Sequence, residues 1–188
     1  MKIRLVKNVP RFCMKSAINC LSQNKWRFKT MKILFVCSAN ICRSALAEVI
    51  LKKKLQQKGL TEIEVHSAGV HNYAGEPRDF VMASYAHKAG YEMGEESKYI
   101  TQEMVDTADL IVCMEYFHVV EIQKRLPYIR WSCIHLFNEL CFGEQTNLID
   151  PSGSTGYFYS LTFQHIEEGC GTLAWKLQKM FREGEQFF

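Results

Sequence analysis

Four apolar residues, Ile33-Leu34-Phe35-Val36, run into a polar turn, Cys37-Ser38-Ala39-Asn40-Ile41-Cys42-Arg43-Ser44, and a helical pattern follows from Ala45 to about Gln57. A short continuous apolar run fits a strand buried on both faces, and such a strand needs helices over both sides of a parallel sheet. The rest of the chain repeats the alternation. Thr61–Ser67 alternates, with Ile63 and Val65 on one side, and reads as a second strand. A loop follows through Tyr73 and Gly75 to Pro77, then a helical pattern from Phe80 to His87 that ends by Gly90. Thr101–Asp106 reads as a short helix capped by Thr101. Leu110–Met114 is a third apolar strand, Tyr116–Leu126 a helix stopped by Pro127, Ile129–Phe137 a fourth strand, and Tyr159–Phe181 a long closing helix. Strands separated by helices pair in parallel through right-handed crossovers. The expected fold is therefore α/β, one doubly wound parallel sheet with helices on both faces. Such sheets bind ligands beyond the C-terminal strand ends near a topological switch point, where Cys37 falls.

The turn itself carries chemistry. The first N–H groups of a helix have no intrahelical partner, and the helix dipole puts partial positive charge there, so a strand–turn–helix junction is a ready anion site. A thiol facing that terminus and an arginine is favoured as the thiolate. The same N–H groups and the Arg43 fork suit a tetrahedral dianion. Cys37 reads as a nucleophile that attacks phosphorus and forms a covalent intermediate. Arg43 reads as the clamp on the equatorial oxygens, an otherwise unfavourable cation at a helix start. Ser44 reads as a donor to the thiolate or as a plain N-cap. Asn40 tolerates a left-handed backbone and so can bring successive N–H groups of the loop together. Ala39 is unstrained there only if its φ is negative.

Length and charge narrow the setting. At 188 residues one domain with a substantial core is expected, and 47% hydrophobic with 23% charged residues is ordinary for a globular chain. No apolar run approaches the ~18 residues needed to span a bilayer, so no stable membrane insertion is expected. Eight irregularly spaced cysteines fit reduced thiols in a cytoplasmic protein, and no spacing resembles a zinc site. Residues 1–30 hold eight Lys or Arg and no acid. Removing those eight leaves fifteen basic residues against twenty acidic, a balance of about −5 that speaks against nucleic acid as a partner. The basic segment lacks the apolar core and cleavage site of a signal peptide. Residues 1–30 are thus expected to be a disordered extension or an over-long start, and residues 31–188 the folded domain. The oligomeric state is not encoded in any pattern of the sequence.

At the turn the chain resembles the low-molecular-weight protein-tyrosine phosphatases, which carry Val-Cys-x-Gly-Asn-x-Cys-Arg-Ser-Pro after the first strand and an Asp-Pro pair far downstream. Cys37, Asn40, Cys42, Arg43 and Ser44 stand in register, as does Asp150-Pro151; Ala39 and Ala45 replace the usual glycine and proline. The resemblance runs from about Met31 to the C-terminal helix. It implies four parallel strands in the order 2-1-3-4, and hydrolysis of phosphotyrosine in proteins without metal or other cofactor. It makes Cys37, Arg43 and Asp150 the catalytic residues, Asp150 as general acid and base. Ser38, Ala39, Asn40, Ile41, Cys42 and Ser44 then line the phosphate, and Tyr73 sits where the family keeps an aromatic wall. Isoleucine at position 41 goes with phosphotyrosine in the wider family, threonine with phosphoarginine. Cys42 is implied to form a reversible disulfide with Cys37; simple packing under the loop is the alternative. Aromatic residues directly after Asp-Pro are absent, Ser152-Gly153-Ser154 standing there instead.

Three other readings share the loop. A protein arginine phosphatase is disfavoured by Ile41. A silent phosphate-binding module draws on Ala39 and the altered Asp150 loop. An arsenate reductase needs a downstream pair of redox cysteines, and after Cys113 none follows before Cys133.

Overall fold

The computed structural model describes residues 30–126 and 133–183. Four strands form one parallel sheet: β1 (Met31–Cys37), β2 (Ile63–Gly69), β3 (Leu110–Cys113) and β4 (Ile134–Leu136), in the order β2-β1-β3-β4. The apolar run therefore lies at the centre of the sheet, and Cys37 ends it opposite Gly69.

Alternate residues of β1 feed two cores, as the strand period requires. Ile33 and Phe35 join Leu46, Ile50 and Leu51 of α1 (Arg43–Gln57) and Ile166, Leu173 and Leu177 of the final helix, α6 (Gly156–Glu183). Helix α2 (Phe80–Lys88) buries Met82 and Ala86 in the same layer. Leu34 and Val36 face Val105 of α3 (Gln102–Thr107) and Val119 and Ile122 of α4 (Tyr116–Arg125). The i, i+4 apolar set of α1 is wholly buried, and Thr101 caps α3 by accepting from the Met104 N–H at 3.2 Å.

The fourth strand is shorter than expected. Residues 127–132, including Pro127 and the first part of that stretch, lie outside the described residues, as does the basic segment up to residue 29. Within the described part, Phe137 does not end the strand but opens a helix, α5 (Phe137–Phe142). Phe137, Leu140 and Cys141 are buried at helical spacing beneath α6, so packing on α6 overrides the local extended tendency. Helix α6 also starts three residues before Tyr159.

Candidate active site

Residues 38–42 bend between β1 and α1, so the loop sits at the C-terminal end of the central strand and the N-terminus of a helix. Asn40 makes the bend, with φ 59°, and is the only described residue other than glycine with positive φ. Ala39 is therefore outside the left-handed region and carries no backbone strain. The Asn40 side chain is fully buried and pinned on every polar atom. Its amide nitrogen donates to Ser44 Oγ at 2.9 Å and Ser67 Oγ at 2.7 Å. Its carbonyl oxygen accepts from the Lys98 N–H at 2.8 Å and from Arg78 at 3.0 Å. Arg78 also donates to the Asn40 main-chain carbonyl. Ser67 in turn donates to the buried Glu48 carboxylate at 2.5 Å. Gly69, beneath the bend, permits this closeness: a Cβ there would stand 2.6 Å from the Ala39 carbonyl carbon.

The Cys37 sulfur accepts from the Asn40 N–H at 3.2 Å and lies 2.9 Å from Ser44 Oγ. Because Asn40 donates to the Ser44 oxygen, the nearest acceptor for the serine's own proton is that sulfur, the Ala68 carbonyl lying at 3.5 Å. Ser44 is inside α1, and the N-cap is Cys42, so the plain N-cap reading of Ser44 is corrected. Cys42 is a free, buried thiol in the core layer, and burial, with Asp79 and Cys37 nearby, pushes its pKa well up. Cys37 and Cys42 are both buried and not joined by a disulfide in this structure.

Arg43 is only 2% exposed. One guanidinium nitrogen donates to Glu115 at 2.6 Å and to the Leu148 carbonyl at 3.1 Å, and the other meets Asp150. A buried arginine needs such partners. Asp150 stands 40% exposed at the same opening, its other oxygen accepting from the Ser152 N–H at 3.0 Å. Thus the aspartate 113 positions downstream of Cys37 shares one arginine with the loop.

A sequence model described as low molecular weight phosphotyrosine protein phosphatase matches residues 32–183. This chain belongs to that family. It is 34% identical over 126 residues to the low molecular weight protein-tyrosine-phosphatase Etp of Escherichia coli K12, covering 66% of this chain and 80% of that one. It is 30% identical over 152 residues to a protein-arginine-phosphatase of Bacillus subtilis, covering 79% and 98%. A product-state mimic crystal structure of the Entamoeba histolytica protein tyrosine phosphatase superposes with a TM-score of 0.72 at 28% identity, covering 84% of this chain and 99% of that one.

The phosphatase-family loop has supports that its motif does not name. Glu115 caps α4, accepting from the His118 N–H, while it holds Arg43. His118 accepts the Glu115 N–H on Nδ1 at 3.0 Å and lies 3.0 Å from Ser38 Oγ through Nε2. Burial, then Arg43, drives its pKa down to about 3, so the ring is neutral. Burial likewise lowers the pKa of Arg78, opposed by Glu48 and Cys37. The Ile41 carbonyl accepts from the Asp79 N–H at 2.9 Å, and Asp79 caps α2 and accepts from Tyr159 of α6 at 2.8 Å. Ile41 is half-buried. Tyr73 is 49% exposed, its carbonyl accepting from Ser97, and has no described contact with the loop. His71, whose N–H donates to the Ser38 carbonyl at 2.8 Å, instead lies with its ring centroid 5.8 Å from that of Phe117, tilted by 39°, and Phe117 is an exposed aromatic that no sequence pattern singled out. The reciprocal cap of Glu115 and His118 at the start of α4 pairs a glutamate with a histidine instead of the Ser/Thr and Glu/Gln of the usual motif, so no sequence pattern singled them out.

Proposed function

We propose that this phosphatase-family chain hydrolyses phosphotyrosine in proteins through a cysteinyl-phosphate intermediate. The observation that carries the reading is the Cys37 sulfur, held by the Asn40 N–H and Ser44 Oγ beneath the loop whose buried arginine meets Asp150. In the first step the Cys37 thiolate attacks phosphorus and the ester P–O bond breaks. Asp150 gives its proton to the departing phenolate. In the second step water attacks phosphorus, Asp150 takes a proton from it, and the P–S bond breaks. The leaving thiolate is met by the Ser44 hydroxyl and the Asn40 N–H. Arg43 and the loop N–H groups hold the equatorial oxygens, where charge gathers in the transition state. Ile41 at the half-buried rim favours an aryl phosphate.

A protein-arginine-phosphatase among the relatives supports a second reading in which the same loop cleaves a P–N bond. A silent module has less support, since Ala39 needs no positive φ and Asp150 reaches Arg43. Hydrolysis of phosphotyrosine and phosphoarginine peptides, with EDTA present, tests both. Fast release from phosphotyrosine in EDTA, abolished by Cys37→Ser while vanadate still binds, is expected. Retained activity in Cys37→Ser would refute the mechanism. A preference for phosphoarginine would refute the substrate.

A further inference from the structure

His118 is a wholly buried imidazole that takes no part in the two displacements above, yet both ring nitrogens are committed. The Glu115 N–H donates to Nδ1 at 3.0 Å, so the ring proton resides on Nε2 and is donated to Ser38 Oγ at 3.0 Å. Ser38 is the residue after Cys37 and the first of the bend that joins β1 to α1. Its carbonyl is already tied to the His71 N–H at 2.8 Å, so His118 fixes the remaining freedom, that of the side chain. The neutral state of the ring keeps this tautomer across the physiological range, because burial and Arg43 oppose a second proton.

We infer that His118 is a positioning residue of the phosphate site, acting through its Nε2–H on Ser38 to keep the first N–H groups of the loop aimed at an incoming oxyanion. The inference rests on residues 37–44 being that site. Donors fixed in advance need no reorganisation when charge develops, so a loosened one is worth less in the transition state than in solution-like binding. A histidine that merely caps α4 would need only the bond to Glu115.

The two bonds can be separated by substitution. Asparagine places its carbonyl oxygen near the Nδ1 position and keeps the cap but falls short of Ser38. Glutamine places its amide nitrogen near the Nε2 position and keeps the link to Ser38 but not the cap. The experiment measures vanadate dissociation constants, aryl phosphate kcat and urea unfolding midpoints for the full chain. In His118→Asn, vanadate should bind about tenfold more weakly with the unfolding midpoint held, while His118→Gln stays within about threefold of the wild type. Ser38→Ala should match His118→Asn, and the double variant should lose no more than either, since one interaction is removed. Wild-type vanadate affinity in His118→Asn overturns the inference. Equal losses in the Asn and Gln variants that track a lower midpoint also overturn it, in favour of a purely structural histidine. A wild type that binds vanadate but turns nothing over would refute the phosphatase reading, and the vanadate ratios would still decide for or against His118.

Discussion

Replacing Asn40 separates backbone strain from hydrogen bonding in one experiment. The residue is fully buried at φ 59°, and its side chain makes four hydrogen bonds, to Ser44, Ser67, Lys98 and Arg78. In Asn40→Ala three partners keep another contact: Ser67 has Glu48, Ser44 has the Cys37 sulfur, and Arg78 has the Gly94 carbonyl. The Lys98 N–H loses the acceptor described for it, at a cost of about 1–3 kcal/mol if it stays out of water. Left-handed backbone costs an L-residue about 1–2 kcal/mol more, so alanine should destabilise by about 2–5 kcal/mol. Asn40→Gly loses the same bonds without the backbone penalty, although glycine's freedom in the unfolded chain takes back about 0.5–1 kcal/mol. Glycine should therefore be more stable than alanine by roughly 0.5–1 kcal/mol in urea unfolding. Turnover should fall by a similar factor in both, because both release Ser44 from the alignment that points it at the sulfur. Alanine as stable as glycine would refute the strain argument, and unchanged kcat in either would refute the role of the Asn40–Ser44 bond.

Asp150→Ala should slow aryl phosphates with poor leaving groups most, since these most need a proton; a uniform loss across leaving groups would count against its acid role. His118 titrates near 6.5 in the unfolded chain but only near 3 when folded, so the unfolded state binds the extra proton first. Its contribution is full above about pH 6.5 and drains as pH falls toward 3, at up to about 1.4 kcal/mol per unit. Urea unfolding between pH 7 and 4.5 should thus show a steeper loss in wild type than in His118→Gln, and parallel slopes would contradict the burial argument. Gly169→Ala sets a Cβ 2.5 Å from the buried Phe137 ring, where α6 crosses α5. Overpacking of about 1–3 kcal/mol against a helix-propensity gain of about 1 predicts a lower melting temperature with activity kept; a higher one would mean that the ring gives way.

What was legible in the sequence was mostly local. The apolar run, the bend and the helix lie within twenty-seven consecutive residues, Met31–Gln57, and each obeys a short-range rule. The positive φ of Asn40 likewise follows from a property of asparagine itself. Arg78, Glu115 and His118 belong to the loop only because the crossovers bring the starts of α2 and α4 beside it, a placement that no spacing records. The same holds for α5. Phe137 and Leu140 suit a strand as well as a helix until α6 lies across them. Ser44 was ambiguous between cap and donor because the position of a helix start is uncertain by one or two residues, and Cys42 took the cap.

The loop is contiguous, but what holds it is not. Its hydrogen-bonding partners at Ser67, Arg78, Lys98, Glu115, His118 and Asp150 come from β2 itself and from the segments that follow β2, β3 and β4. A strand–turn–helix peptide cut from Met31 to Gln57 would contain every motif residue except the Asp150-Pro151 pair and still lack the scaffold that aims them. Its folding and its chemistry are consequently one cooperative event. Heat should therefore silence the protein at the temperature where the sheet itself comes apart, and activity lost well below that temperature would contradict this.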